Sequence, residues 1–157
     1  MIDNQVILGI DVGTATTGWA IMHGQAHNMK LQAYGVISTK STQPMPQRLD
    51  EIYHNLLEII DTYKPDVAAV ESLFLFKNQT TVMTVSQARG VMLLALEQKG
   101  LQIFEYTPLQ VKSAVTGYGR AKKKQVQEMV KSILKLDDIP KPDDAADAVG
   151  ISICHLY

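Results

Sequence analysis

Cysteine and long apolar runs are the features that this sequence most clearly lacks. The single Cys154 excludes an internal disulfide and a cysteine-type zinc site, and it favours a reducing compartment. The longest uninterrupted apolar run, Val91 to Leu96, falls far short of the roughly 20 residues that a membrane-spanning helix requires. The first residues, Met1 to Asn4, lack the basic and apolar regions of a signal peptide. We therefore expect a cytoplasmic protein without a membrane span.

The chain as a whole also lacks an excess of either charge, since 15 Lys and Arg residues face 16 Asp and Glu residues among its 157. With 46% hydrophobic residues, the composition is typical of one globular domain, spanning 1–157. The charges are nevertheless segregated, because eight basic residues and only three acidic ones occur from Lys112 to Lys141. A near-neutral protein can therefore carry a phosphate-binding patch.

The hydrophobic pattern predicts an α/β chain that begins with strands. Three strands at hairpin spacing, which favour an antiparallel meander, are expected at Gln5–Asp11, Thr17–His23 and Lys30–Ser38. The elements expected after them are a helix at 46–63, a strand at Asp66–Glu71, a helix at Gln79–Lys99, a strand at Leu101–Tyr106, helical stretches after Pro108 and over Ala121–Leu136, and a helix from Asp143 to the last residue. A strand that follows a strand and a helix implies a parallel crossover, so the sheet is predicted to be mixed. The helix at 79–99 is apolar on more than one face, and we expect it to be buried on two sides.

Four carboxylates stand at positions where they could converge. Asp11 and Glu71 each close an apolar strand, and ligands of open α/β sheets bind beyond the carboxyl ends of the strands. Asp144 and Asp147 are spaced i, i+3, which places both on one face of a helix. Carboxylates held together resist ionisation unless cations supply the opposite charge, and oxygen ligands favour Mg²⁺ or Mn²⁺ over Zn²⁺.

The same acids also have a purely structural interpretation. Asp11 and Glu71 can be polar strand ends, and the acids near residue 143 can cap a helix and complement its dipole. Asp143 suits the N-cap best, because it follows Pro142 and could accept a hydrogen bond from the amide of Ala146. That leaves Asp144 and Asp147 as the better ligand pair, although Asp143 and Asp147 would also share a helical face. Spacing does not separate these choices.

The opening segment, Leu8-Gly9-Ile10-Asp11-Val12-Gly13 followed by Thr17-Gly18, resembles the RuvC Holliday-junction resolvases of the ribonuclease H-like superfamily. Further segments similar to that family follow in order: Val70–Phe74 leading to Lys77-Asn78, Gln87–Gly90, Phe104–Tyr106, Gln110–Lys112, Gln125–Gln127 with Met129-Val130, and Asp144–Ala148. The resemblance covers nearly the whole chain. It implies a ribonuclease H-like fold, with three antiparallel strands and then two parallel ones in a five-stranded mixed sheet that has helices on both faces. The sequence departs from the family at Val12, where many relatives have proline, at Lys122 and Lys124, and in ending at Tyr157 without the longer tail of some relatives.

The resemblance also implies an activity and its machinery. Asp11, Glu71, Asp144 and Asp147 would be catalytic residues that bind two Mg²⁺ ions, with Mn²⁺ as a possible replacement and Asp143 as the less favoured ligand. The substrate would be four-way junction DNA, cut by two symmetric incisions in homologous recombination and DNA repair. Two matched cuts call for a C2 homodimer, for which helix 79–99 is the candidate interface. Family members work beside the branch-migration proteins RuvA and RuvB, and a membrane partner is not expected.

DNA contacts are expected from one aromatic residue and from basic residues, of which Lys112 and Lys123 match basic positions that the family uses at DNA. The full set is Phe74, Lys77, Arg89, Lys112, Arg120, Lys122, Lys123 and Lys124. Phe74 would stack on bases, whereas its structural alternative is an ordinary core phenylalanine, and the lysines could form a merely solvated face. Two other functions stay open, namely an RNA-processing nuclease of the related short resolvase-like family and a non-catalytic junction-binding protein.

Overall fold

The computed structural model of the protein describes residues 4–72 and 79–157. The strands are β1 (Gln5–Asp11), β2 (Thr16–Gln25), β3 (Asn28–Ser38), β4 (Val67–Glu71) and β5 (Gln102–Tyr106). The helices are α1 (Met45–Tyr63), α2 (Gln79–Gln98), α3 (Pro108–Thr116), α4 (Lys123–Leu134) and α5 (Asp143–Leu156). Each predicted element is present within a few residues of its expected bounds.

The five strands form one mixed sheet in the order β3-β2-β1-β4-β5. The β1–β2 and β2–β3 pairs are antiparallel, and the β1–β4 and β4–β5 pairs are parallel, which confirms the predicted arrangement. In the central strands β1 and β4 most residues are buried, as expected of strands covered on both faces, whereas β3 alternates between exposed and partly buried positions at the sheet edge.

Helices cover both faces of the sheet, because successive side chains of a strand point to opposite sides. Leu8 and Ile10 of β1 belong to the core that α1 and α2 complete, and Ile7 belongs to the core that α3, α4 and α5 complete. Helix α1 contributes the predicted apolar stripe, whose buried members are Ile52, Leu56 and Ile60. None of the helices in the described part of the chain is long and apolar enough to cross a membrane.

Helix α2 differs from the expectation that it would be buried on two sides. Ala88, Met92 and Ala95 are buried on the face of α2 that packs against the core. In contrast, Met83 is 68% exposed and Leu94 is 53% exposed. The second apolar face of α2 is therefore open to solvent in the single chain.

Helix α5 lies unusually close to the sheet because glycines occupy the strand positions beneath it. A Cβ atom at Gly18 would lie 1.8 Å from the backbone oxygen of Asp144, and one at Gly9 would lie 2.4 Å from the backbone oxygen of Ala148. Gly18 is the β2 partner of Asp11, so this contact brings the first turn of α5 directly over the end of β1. The spacing between the Asp11 strand and the Asp144 helix thus depends on a missing side chain.

We expect Gly18→Ala to destabilise the protein by about 1–3 kcal/mol, because the first turn of α5 must move away from β2 to admit the methyl group. Gly150→Ala is the matched control on α5, since its Cβ would make only an ordinary contact, 3.6 Å from Val111 Cγ1. Urea denaturation of both variants measures the difference. Equal stabilities of the two variants would contradict the proposed close contact.

Candidate metal centre and nucleic-acid interface

Three carboxylates that are distant in sequence meet at one end of the sheet. Carboxylate oxygens of Asp11, Asp144 and Asp147 all lie within 4.8 Å of one another, and the three residues are partly buried. Asp11 is the last residue of β1, and the two others lie at the beginning of α5. The predicted i, i+3 pair therefore faces the predicted strand end.

Glu71 ends the strand next to that of Asp11. Ile10 of β1 pairs with Val70 of β4 in parallel register, so the residues that follow them, Asp11 and Glu71, close adjacent strands. Glu71 is not one of the three carboxylates that meet within 4.8 Å, but it lines the same cleft as Asp147. The structure thus places all four predicted acids at this end of the sheet, with Glu71 at the side of the cluster.

Burial and the neighbouring carboxylates raise the pKa of three of these acids, Asp11, Glu71 and Asp147. Burial and the nearby Asp147, Glu71 and Asp144 carboxylates raise the pKa of Asp11 to about 8. Burial also raises the pKa of Glu71, where Asp147 adds to the effect and Lys112 opposes it. Burial raises the pKa of Asp147 as well, against the opposing effect of Lys123. Without a divalent cation the cluster holds a proton near neutral pH, and its oxygen-only donor set fits Mg²⁺ or Mn²⁺.

Asp143 takes a different position from the one that the helix-cap hypothesis predicts. Pro142 is the N-cap residue, and its carbonyl, not the Asp143 carboxylate, accepts a hydrogen bond from the amide of Ala146. Asp143 is the first helical residue, where its carboxylate accepts a hydrogen bond from Gln127 Nε2 at 3.1 Å and lies 3.3 Å from Lys123 Nζ. These contacts lower the pKa of Asp143. The N-cap prediction is therefore wrong, because the side chain turns towards α4 instead of back over its own helix.

Lys123 and Lys112 provide positive charge beside the acids. Lys123 Nζ lies 3.5 Å from Asp147 Oδ2, although Lys123 is the first residue of α4, where a positive charge opposes the helix dipole. The acids of α5 offset that cost. A cleft of about 290 Å³ opens next to this pair, and its wall contains Glu71, Lys112, Lys123 and Asp147 together with Pro108, Val111, Val126, Gly150 and Ile151. A wall that combines charged and apolar side chains can accommodate a phosphate and the sugar attached to it.

The remaining predicted DNA-contacting residues have varied surroundings. Arg120, Lys122 and Lys124 are exposed around the start of α4. The side chain of Arg89 is only 12% exposed, since its guanidinium donates to the backbone oxygen of Glu71 at 2.8 Å and pairs with Glu105 at 2.7 Å. These contacts hold β4 and β5 together at the site, and a DNA contact of Arg89 stays a prediction. Phe74 and Lys77 lie outside the described residues.

One basic residue near the acids was not predicted from the sequence. Arg48, on α1, lines a second cleft whose wall also contains Asp144. Arg48 stands in the amphipathic stretch of a helix whose pattern indicates only packing, and its neighbours in this cleft come from distant parts of the chain. The local sequence therefore carries no signal of its position.

Comparisons with known proteins agree on one family. The model of the family described as crossover junction endodeoxyribonuclease RuvC matches residues 7–155. Proteins of that name from Rubrobacter xylanophilus and Finegoldia magna are 53% and 52% identical to this chain, over 98% and 96% of its length and 86% and 92% of theirs. The solved structure of Thermus thermophilus RuvC in complex with a Holliday junction substrate superposes with a TM-score of 0.92 at 32% identity, covering 96% of this chain and 92% of that one.

The raised pKa of Asp11 predicts how stability depends on pH when divalent metal is absent. The folded chain keeps the proton up to a pH of about 8, whereas the unfolded chain loses it near 3.8, so the folded state binds more protons in between. The free energy of unfolding should therefore fall as the pH rises through this window. Urea denaturation in the presence of a chelator measures the slope, which Asp11→Asn should flatten.

Asp137→Asn, which changes an exposed aspartate, is the control for this measurement and should leave the slope unchanged. Mg²⁺ should reverse the trend, because a bound cation replaces the proton and binds better as the pH rises. A slope that is the same in the wild type and in Asp11→Asn would show that Asp11 does not hold the proton.

Proposed function

The chain belongs to the RuvC family of crossover junction endodeoxyribonucleases, and on this basis we propose that it resolves four-way DNA junctions by hydrolysis that depends on two divalent metal ions. The observation that carries the proposal is the convergence of the Asp11, Asp144 and Asp147 carboxylates within 4.8 Å, beside Glu71 and a cleft whose wall includes Lys112 and Lys123. A cluster of this kind has no purpose in packing, because the burial of several carboxylates costs free energy unless cations compensate it.

In the proposed site Asp11, Glu71, Asp144 and Asp147 hold the metal ions. When bound, two Mg²⁺ ions supply an activated water and stabilise the leaving 3′-oxygen, without a protein nucleophile. Asp11 closes the strand beside that of Glu71, and its carboxylate lies within 4.8 Å of those of the α5 acids, so it would help both groups to hold the metal ions. Lys112 and Lys123 neutralise part of the charge around the phosphate that enters the cleft, and this lowers the repulsion between DNA and the acids.

The basic surface beside the acids supports DNA as the substrate. Arg120, Lys122 and Lys124 are exposed near Lys123 and point to phosphate contacts along a duplex arm. The Thermus thermophilus relative, which shares nearly the whole fold, was solved with a Holliday junction substrate. Phe74 keeps its proposed role of stacking on bases at the crossover. A cytoplasmic location and a contact with RuvA and RuvB belong to the same proposal.

We infer that the active form is a C2 homodimer that uses the open face of α2. Met83, Gly90 and Leu94 recur at i, i+7 and i+11, which places them on one stripe of the helix. A Cβ atom at Gly90 would meet nothing within 4 Å, so a second helix can approach closely there. Residues 4–72 and 79–157 of one chain hold one acidic cluster, whereas a two-fold junction requires two matched cuts.

Asp11→Asn should bind a synthetic four-way junction normally and fail to cut it with Mg²⁺ present. Mutation of residues that only support the metal ligands typically lowers metal affinity or activity by about 10–100-fold. Loss of a direct ligand should therefore reduce the cleavage rate by more than about 100-fold. Single-turnover cleavage and fluorescence anisotropy measure the two effects, with Asp137→Asn as the control. Normal cleavage by Asp11→Asn would contradict the assignment of Asp11.

A matched RNA junction in the same assay tests the alternative function of an RNA-processing nuclease. Binding without cleavage by the wild type would indicate the other alternative, a non-catalytic junction-binding protein.

Leu94→Glu should convert the dimer to a monomer, because a carboxylate on the open stripe of α2 loses its hydration when the helices pair. Leu109→Glu is the matched control, since Leu109 is equally apolar and 61% exposed but lies on α3. Analytical ultracentrifugation measures the mass of each variant. If Leu94→Glu remained dimeric, the interface would have to lie elsewhere on the chain.

A further inference from the structure

A second cleft, of about 440 Å³, lies next to the acidic cluster. Asp144 belongs to its wall, whereas Asp147 and Glu71 belong to the wall of the first cleft. The other residues that line it are Gly13, Thr14, Ala15, Thr16, Arg48, Thr81, Thr84 and Val85. The loop between β1 and β2, helix α1 and helix α2 therefore line an open cleft on another side of the carboxylates, and among the described residues Arg48 is the only basic one in its wall.

Arg48 is held in place by a single edge of its guanidinium group. Its Nε donates a hydrogen bond to Thr39 Oγ1 at 2.9 Å, and Thr39 in turn donates from its hydroxyl to the backbone oxygen of Thr14 at 2.6 Å. The amide of Thr39 also donates to the backbone oxygen of Ala15 at 3.0 Å. Arg48 is thus fixed to the loop that follows Asp11.

The two terminal nitrogens of the Arg48 guanidinium have no partner within residues 4–72 and 79–157. Neither terminal nitrogen makes a hydrogen bond there, and the guanidinium makes no ion pair with a carboxylate of those residues. A guanidinium that is oriented through Nε presents its two terminal nitrogens side by side, which is the geometry that binds a phosphate with two parallel hydrogen bonds.

Hydroxyl groups surround this space. Thr14 is only 7% exposed, and its Oγ1 has no hydrogen-bond partner among the described residues. A buried hydroxyl without a partner costs free energy, and such groups are typically explained by strain, a missing water or a ligand. Thr84 donates its own hydroxyl to the backbone oxygen of Thr81 at 3.1 Å, which leaves its oxygen as an acceptor only. The unsatisfied hydroxyl of Thr14 is an independent indication that the cleft takes a polar ligand.

We propose that Arg48 binds a phosphate next to the scissile phosphate on the same DNA strand. In this way Arg48 positions the strand across the acidic cluster. This inference rests on the proposed function. A strand whose scissile phosphate lies on the cluster must leave it in two directions. One direction leads to the cleft with Lys112 and Lys123, and the other leads to the cleft with Arg48. The two clefts would then hold the strand on either side of the cut, which fixes the attack geometry.

The test combines Arg48→Gln with junctions that carry one neutral methylphosphonate in place of a phosphate, moved stepwise through the positions around the cut. In the wild type, one position near the scissile phosphate should reduce binding about 10-fold, since the charged hydrogen bonds are lost. In Arg48→Gln the same substitution should cost nothing further. The variant should also make the negative slope of log K against log salt shallower by about 0.9, which is the value of one phosphate contact.

Two further variants serve as controls. Lys30→Gln removes an exposed charge from the far end of β3, nine residues before Thr39, and should respond to every methylphosphonate as the wild type does. Arg48→Lys keeps the charge but loses the paired nitrogens, so its response should lie between those of the wild type and Arg48→Gln. Arg48→Lys also provides the measurement if Arg48→Gln fails to fold.

The outcomes separate this inference from the function on which it rests. Non-additive effects of Arg48 and one methylphosphonate position support the contact. Additive effects at every position, in a wild type that cuts the junction, overturn the contact and leave the nuclease function intact. A wild type that cuts no junction overturns the proposed function itself.

Discussion

The repulsion among carboxylates gathered at one end of a sheet is the constraint on which the rest of this structure depends. Asp11, Asp144 and Asp147 are close enough to share a cation, and burial makes their negative charge expensive. The surrounding elements both impose this proximity and moderate it. The parallel pairing of β1 with β4 places Glu71 beside the three aspartates. The positive charge of Lys123 offsets part of the negative charge of Asp147.

Helix burial and side-chain contacts on both sides of the site keep the acids in position. Asp144 and Asp147 stand at the amino end of α5, where the helix dipole favours negative charge. From Ala145 to Cys154 nearly all residues of α5 are buried, so the helix has no freedom to withdraw towards solvent. Arg89 fixes the other side of the site, since it binds the backbone of Glu71 and the side chain of Glu105 at the same time.

The sequence was informative where the signal is local and periodic. Asp11 and Glu71 could be recognised because each follows an apolar strand, and Asp144 and Asp147 because their spacing matches a helical turn. Asp143 could not be assigned correctly, since its direction depends on the backbone at Pro142 and on partners from α4. Arg48 could not be found at all, because Thr39 and the loop after β1 place it beside Asp144. Long-range contacts of single side chains leave no periodic trace.

The absence of a side chain at Gly18 has a consequence for ion size. Because the backbone of α5 rests directly on β2, the first turn of the helix cannot shift outward or inward without breaking the contact beneath Asp144. A rigid set of ligands favours Mg²⁺, which is small and requires octahedral geometry, over Ca²⁺, which needs longer bonds and more ligands. Under the proposed function, the contact between Gly18 and Asp144 would therefore favour Mg²⁺ over Ca²⁺, because it fixes the helix that carries two of the proposed ligands.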